Sequence, residues 1–265
     1  MSDFVEKNPW SALRQFTNAR IALGRAGNSL PTEPLLAFNL SHAQARDAVH
    51  HPLDTDALHA QLRAQNFASL DVHSAAPDRE HYLRRPDLGR RLSEESRATL
   101  TALSASSSDV VFVIADGLSA FAASKQAIPL LQAVRPALTD WTIGPIVVAR
   151  QARVALGDEI GELLNAKVVV MLIGERPGLS SPDSLGVYLT YAPKVGCSDA
   201  QRNCISNVRP EGLDYPLAAH KLHYLLTHAR RLGLTGVGLK DDSDAQLASP
   251  SPTSAVSDDR KTEGK

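Results

Sequence analysis

Three short apolar runs between residues 110 and 173 constrain the fold of this chain more than any other feature of its sequence. They occupy residues 110–114, 143–149 and 167–173, and stretches with helical spacing lie between and after them, at 118–138, 158–165 and 215–232. Continuous apolar runs of this length are typical of parallel strands buried on both faces of a sheet. The alternation predicts an α/β fold with an open, mostly parallel, Rossmann-like sheet.

The first hundred residues have a different pattern, with helical spacing at 9–24, 31–51, 54–65 and 86–103 and a short strand at 67–72. A serine-rich connector follows at 104–109. We therefore expect a helical N-terminal region over residues 1–103 and an α/β domain over residues 104–239. Residues 240–265 are rich in Ser, Pro and Asp and predict a disordered tail.

Composition excludes several classes of function. The 28 basic and 29 acidic residues nearly cancel, and aromatic residues make up 5%, which argues against a nucleic-acid partner. The N-terminus has no signal-peptide pattern, and the longest apolar run, at 168–173, is far shorter than the roughly 20 residues of a membrane span. We expect a soluble cytoplasmic protein with no membrane partner.

Polar residues and glycines follow each of the three apolar runs, at 116–119, 149–154 and 174–178. Ligands of open α/β sheets bind beyond the carboxyl ends of the strands, so these turns are candidates for a site that takes an elongated polar molecule. Ordinary strand-to-helix turns use the same residue types. The pattern alone leaves both interpretations open.

No catalytic or metal-binding residue is predicted. Phosphate-binding glycine loops and the G-x-S-x-G nucleophile motif are absent from the sequence. The nine histidines form no recognisable metal triad, and the spacing of Cys197 and Cys204 matches no common zinc pattern. The segment from Asp71 through His73 to Ala76 approaches D-x-H-x-x-G, a cobalt-coordinating motif of some cobalamin domains, but ends in alanine. We interpret that likeness as chance.

Several motifs, taken in order, point to one family. They are YLRRPDLGRRL at 82–92, DGLS at 116–119, GERPGL at 174–179 and CISN at 204–207, after an opening NPW at 8–10. These motifs, in this order, resemble those of the small subunit (light chain) of ethanolamine ammonia-lyase. GERPGL and CISN are the most specific among them. The resemblance covers residues 8–239.

The resemblance implies a subunit of a hetero-oligomer that converts ethanolamine to acetaldehyde and ammonia by a radical mechanism with adenosylcobalamin. In that family a large subunit holds ethanolamine in a (β/α)8 barrel. The small subunit covers the cobalamin, which lies between the two chains with its own base on cobalt, and is inactive alone. This implication agrees with the missing histidine motif and with the absence of a predicted catalytic residue.

Three cofactor-binding positions carry over from the family to Val154, Glu175 and Cys204. Glu175 is expected to accept hydrogen bonds from corrin amides or a ribose hydroxyl, and Val154 and Cys204 to pack against the corrin edge. Arg153 and Arg176 are further candidates for phosphate or amide contacts. The helical N-terminal region is expected to contact the large subunit.

Two other functions stay open at this point. A stand-alone small-molecule enzyme would need an internal acid–base pair, and a structural assembly subunit would not need Val154, Glu175 and Cys204. Some family members carry a long leader associated with bacterial microcompartments, and here the sequence begins close to the matching region. We therefore expect a free cytoplasmic enzyme, with a microcompartment as the alternative.

Overall fold

The computed structural model describes residues 4–103 and 107–244, and within them the chain forms six strands and seven α-helices. The strands are β1 (Ser69–His73), β2 (Ser108–Ala115), β3 (Ile146–Arg150), β4 (Ala166–Gly174), β5 (Leu185–Tyr191) and β6 (Arg202–Val208). The helices are α1 (Thr32–His50), α2 (Thr55–Ala64), α3 (Arg79–Arg84), α4 (Glu94–Leu103), α5 (Ala120–Val134), α6 (Leu156–Leu163) and α7 (Tyr215–Leu232).

The strands form one mixed sheet in the order β1-β3-β2-β4-β5-β6. The pairings from β1 to β4 are parallel, whereas β5 pairs antiparallel with both β4 and β6. The predicted α/β class is confirmed, but a mostly parallel Rossmann-like sheet is not. The turn between β4 and β5 spans only residues 175–184, which is too short for the helical crossover that a parallel strand needs.

The central strands are buried on both faces, as the apolar runs predicted. Along β2, Phe112 and Ile114 join the core on the side of α5 and α7. Val111 and Val113 join the core on the opposite side, with α4 and α6. Helices therefore cover both faces of β2 and leave its carboxyl end free to form a site.

Part of the chain before residue 104 belongs to the sheet and its core. The strand predicted at 67–72 is β1, which pairs with β3, and Leu58 and Leu62 of α2 are fully buried in the core. The Asp54 side chain caps α2 by accepting a hydrogen bond from the Ala57 N–H at 2.9 Å. The predicted helices at 31–51 and 54–65 are confirmed.

The helix predicted at 9–24 is wrong beyond residue 16. A 3-10 helix spans Pro9–Phe16, and the chain is extended at Thr17. The apolar side chains of this segment, Trp10 and Phe16 among them, are exposed. Because a short helix gains most of its stability by packing an apolar face, this segment lacks what an α-helix would need.

Three further predictions need correction. The helix predicted at 86–103 is shorter, because Ser93 caps α4 by accepting a hydrogen bond from the Ser96 N–H at 3.2 Å. Strand β6 was not predicted at all, since its polar residues give no apolar run. Most of the tail predicted at 240–265 lies outside the described residues, as do residues 104–106 of the connector predicted at 104–109. The connector prediction is wrong at its end, because Ser108 and Asp109 begin β2. None of the described helices is both long and apolar enough to cross a membrane.

A buried ion pair fastens β6 to α6. The Arg202 guanidinium donates to both carboxylate oxygens of Asp158, at 2.5 and 2.7 Å. It also donates to the Thr190 hydroxyl at 2.9 Å and to the Cys197 carbonyl at 2.7 Å. Both charged side chains are at most 3% exposed, so each depends on the other for compensation of its charge.

We predict that Asp158→Ala lowers the free energy of unfolding by about 3–5 kcal/mol, because it leaves the Arg202 charge buried without its partner. Urea denaturation of the purified chain measures this loss. Asp199→Ala is the matched control, since Asp199 contacts the same arginine but its side chain is 98% exposed. Its effect should stay within about 0.5 kcal/mol. Equal losses in the two variants would contradict the assignment.

Candidate functional site

The turns after β2, β3 and β4 meet at one edge of the sheet. The buried carboxylate of Asp116, after β2, accepts hydrogen bonds from the backbone N–H groups of Gln151 at 2.8 Å and Ala152 at 3.0 Å, after β3. The Leu118 N–H donates to the Gly174 carbonyl, at the end of β4, at 2.9 Å. The three predicted turns are therefore joined directly.

Two glycines allow the turns after β2 and β4 to touch through their backbones. A Cβ at Gly117, whose φ is +52°, would lie 2.2 Å from the Gly174 carbonyl oxygen. A Cβ at Gly174 would lie 2.0 Å from the Ser119 carbonyl oxygen. A side chain at either position would force the turns apart.

A pocket of about 410 Å³ opens beside these turns. Two of the predicted site residues, Val154 and Glu175, line it together, as do Arg153 and Arg176. Its other lining residues are Tyr82, Gly117, Leu118, Ile173, Gly174 and Tyr188. Cys204 does not line the pocket, but it pairs across β5 and β6 with Tyr188, which does.

Glu175 is held by three hydrogen-bond donors from two neighbouring segments, residue 184 before β5 and residues 206–207 of β6. Its Oε1 accepts a hydrogen bond from the Ser206 hydroxyl at 2.6 Å. Its Oε2 accepts from the Asn207 N–H at 3.2 Å and from the Ser184 hydroxyl. A carboxylate offers about four acceptor positions, so Glu175 can take a further donor from a ligand while its orientation stays fixed.

The phenol and thiol beside Glu175 keep their protons at neutral pH. Desolvation raises the pKa of Tyr188, and the neighbouring Cys204 and Glu175 raise it further. Desolvation also raises the pKa of the Cys204 thiol; the nearby Tyr188 hydroxyl opposes that rise, and the Glu175 carboxylate adds to it. Neither group is thus a thiolate or phenolate base, and both remain hydrogen-bond donors.

Two arginines stack on a buried tyrosine at the other side of the pocket. The guanidinium carbons of Arg79 and Arg153 lie 4.8 and 4.4 Å from the centre of the Tyr82 ring. The Tyr82 hydroxyl donates to the Ala152 carbonyl at 2.9 Å, which fixes the ring against the turn after β3. Among the described residues, Arg79 Nη2 and Arg153 Nε are the buried side-chain nitrogens without a hydrogen-bond partner.

Sequence reasoning missed two residues of the site, Arg79 and Tyr188. Arg79, at the start of α3, has no motif or spacing that would single it out. Tyr188 lies in β5, and its place opposite Cys204 depends on the unpredicted strand β6.

A second pocket of about 420 Å³ adjoins the first and shares Arg153 and Val154 with it. Arg90, Ser198 and Asp199 also line this second pocket. Its remaining lining residues are Pro86, Ala155, Cys197 and Arg202. The two pockets form a two-lobed site around the turn after β3.

The side chains around the pocket are of the kinds that bind a ligand through hydrogen bonds and apolar contacts. In the part of the chain that the structure describes, no three His, Cys, Asp or Glu side chains are grouped to hold a metal ion. The lobe around Glu175 combines an anchored carboxylate acceptor, neutral phenols and apolar residues such as Val154 and Ile173. These groups suit the edge of a large ligand that carries N–H or O–H donors and an apolar face.

Comparisons with known proteins agree with one another. The family model of the ethanolamine ammonia-lyase light chain (EutC) matches residues 7–240. The ethanolamine ammonia-lyase small subunit of Ralstonia nicotianae is 57% identical over 248 residues, covering 92% of this chain and 92% of that protein. The protein of the same name from Pseudomonas syringae pv. tomato is 54% identical over 259 residues, covering 96% of this chain and 90% of that protein.

The matched residues include all three turns of the site and the strand that carries Cys204. The resemblance inferred from the ordered motifs is thereby confirmed. The chain belongs to the ethanolamine ammonia-lyase small-subunit (light-chain) family, and with it to the lyase complex of that name.

Proposed function

We propose that this chain forms the cobalamin-covering half of ethanolamine ammonia-lyase, while a large subunit holds ethanolamine. The observation that carries the proposal is the anchored carboxylate of Glu175 beside the apolar Val154 in one pocket. The names of the relatives, small subunit, imply a larger partner.

The residues present fit a corrin ring. Its rim carries primary amides, which need acceptors, and its faces are largely apolar. Glu175 supplies an acceptor that three protein donors hold in place, and Val154 and Ile173 supply apolar contacts. Gly117 and Gly174, whose backbones touch, also line the pocket and bring no side chain into it. A pocket of about 410 Å³ would cover one edge of the ring, and the partner subunit would cover the rest.

When bound, adenosylcobalamin supplies the radical chemistry that converts ethanolamine to acetaldehyde and ammonia. The residues of this chain bind and shield. Glu175 orients the corrin edge through its amides, Val154 excludes water from it, and Cys204 packs beside it as a neutral thiol.

The surface that meets the large subunit is proposed to include the N-terminal segment. Between residues 4 and 40 many large apolar side chains are exposed, among them Trp10 at 66%, Phe16 at 79% and Leu36 at 61%. Apolar exposure of this kind marks interaction surfaces. Arg20 donates to the Leu179 carbonyl at 3.3 Å, which ties this segment to the loop after Glu175. One partner could therefore cover both the segment and the pocket.

Activity should require both chains. We expect acetaldehyde from ethanolamine and adenosylcobalamin only when this chain and the large subunit are present together, and none when either is omitted. Full activity from the large subunit alone would contradict the proposed division of roles and favour an assembly function.

Glu175→Gln should weaken cobalamin binding to the assembled complex about 10- to 100-fold, because a charged acceptor contributes roughly 1.5–3 kcal/mol through its hydrogen bonds. Titration followed by visible absorbance measures the dissociation constant without turnover. Glu211→Gln is the matched control, since Glu211 is an exposed carboxylate outside the pocket. Equal affinities for Glu175→Gln and the control would remove Glu175 from the site.

The double variant Phe16→Ser, Leu36→Ser should bind the large subunit at least tenfold more weakly, because both side chains would lose apolar contacts at the interface. Sedimentation or pull-down of the two purified subunits measures the association. Val237→Ser is the control, since Val237 is 84% exposed but lies far along the chain from this segment. Unchanged association of the double variant would exclude this surface.

A further inference from the structure

The two lobes of the site differ in charge, and this difference matches two chemically different parts of cobalamin. Arg153 lines both lobes. In the first lobe the Glu175 carboxylate offsets the charge of Arg176, whereas the adjoining lobe adds Arg90 and Arg202 to Arg153. Cobalamin is likewise divided, because its corrin rim carries neutral amides and its nucleotide tail carries an anionic phosphodiester. This inference rests on the proposed function and concerns the ligand group that the second lobe takes.

Of the three arginines, Arg202 is already neutralised by the ion pair with Asp158. Arg153 takes part in none of the ion pairs found among the described residues, and its Nε is buried without a hydrogen-bond partner. Its guanidinium rests on the Tyr82 ring, and its backbone N–H donates to the Gly89 carbonyl at 2.8 Å. The position of the charge is thus fixed before any ligand binds.

Arg90 adds a second, exposed cation on the same lobe. The lobe also contains one carboxylate, Asp199, which is 98% exposed and 3.4 Å from the Arg202 Nε. Because Asp158 already neutralises Arg202, Asp199 offsets one of the two other cations, Arg90 and Arg153, and the net charge of the lobe remains positive. Arginine is the residue that best matches the geometry of a phosphate group, and its hydrogen bonds to an anion are the strong, charge-assisted kind.

We propose that Arg153, assisted by Arg90, binds the phosphodiester of the cofactor's nucleotide tail and thereby selects complete cobalamin over corrinoids that lack the tail. Because Arg153 and Val154 line both lobes, one turn after β3 would contact the ring edge and the tail together. The specificity then depends on Arg153, whereas binding of the corrin rim depends on Glu175.

The test compares cobalamin with cobinamide, which has the same corrin ring but no nucleotide tail. Both are titrated into the assembled two-subunit complex, and binding is followed by visible absorbance. Arg153→Gln should weaken cobalamin binding 10- to 100-fold and cobinamide binding less than about threefold. Glu175→Gln should weaken both ligands by similar factors, and Arg84→Gln, on an exposed arginine of α3, should change neither.

Two further variants protect the test against a folding defect at Arg153. Arg90→Gln, at an exposed side chain, should reduce the preference for cobalamin about threefold, and Arg153→Lys should restore part of the preference by returning the charge. Inorganic phosphate is added to the cobinamide titration to detect a free anion. If phosphate, added also to the cobalamin titration, strengthens the binding of both corrinoids equally through Arg153, the lobe takes a free anion even when the tail is present, and the tail assignment is wrong.

Other outcomes also decide the matter. Equal losses for cobalamin and cobinamide in Arg153→Gln and no change of preference in Arg90→Gln would overturn the inference. Weaker association of the subunits with an unchanged preference would assign Arg153 to the partner interface instead. If the wild-type complex binds neither corrinoid, the proposed function itself fails, which is distinguishable from failure of this inference alone.

Discussion

The carboxylate of Asp116 joins the turn after β2 to the turn after β3, and the geometry of the site depends on this connection. It accepts two backbone N–H groups, from Gln151 and Ala152, and lies 3.4 Å from the Arg79 guanidinium. Burial raises the pKa of Asp116, and the charge of Arg79 and the two N–H donors oppose that rise. Arg79 in turn donates a hydrogen bond to the Gly117 carbonyl at 2.9 Å. Arg79 therefore contacts both the carboxylate and the backbone of the turn after β2.

The antiparallel hairpin at one edge of the sheet extends the site beyond what parallel strands alone would provide. β5 brings Tyr188 beside the pocket, and β6 brings Ser206 within 2.6 Å of the Glu175 carboxylate. The buried Arg202–Asp158 pair holds β6 against α6, on the side where the second lobe lies. The departure from a Rossmann-like sheet is thus what supplies the donors that orient Glu175.

The sequence predicted the buried strands well because burial on both faces leaves an unmistakable apolar run, as in β2 and β4. It also placed the candidate site at the right edge, since the carboxyl ends of parallel strands meet there. Strand β6 was missed because its buried positions include Arg202, whose charge is compensated only by Asp158, distant in sequence. The exposed apolar residues before α1 misled the helix prediction, because apolar spacing cannot reveal whether a packing partner lies within the same chain.

In the proposed function this site is one half of a binding surface. Its acceptor, its fixed cation and its apolar wall are aligned before a ligand arrives, which lowers the cost of ordering them on binding. The exposed N-terminal segment is the natural place for a second chain to complete the enclosure. On the proposed function, the fold, the pocket and this surface belong to one subunit whose chemistry a cofactor and a partner complete.

The most direct test is an experimental structure of the two-subunit complex with cobalamin bound. The account predicts a corrin amide nitrogen about 2.7–3.2 Å from the Glu175 carboxylate, with Val154 and Cys204 in van der Waals contact with the cofactor. A structure in which the large subunit encloses cobalamin alone, with the Glu175 pocket facing solvent, would contradict it.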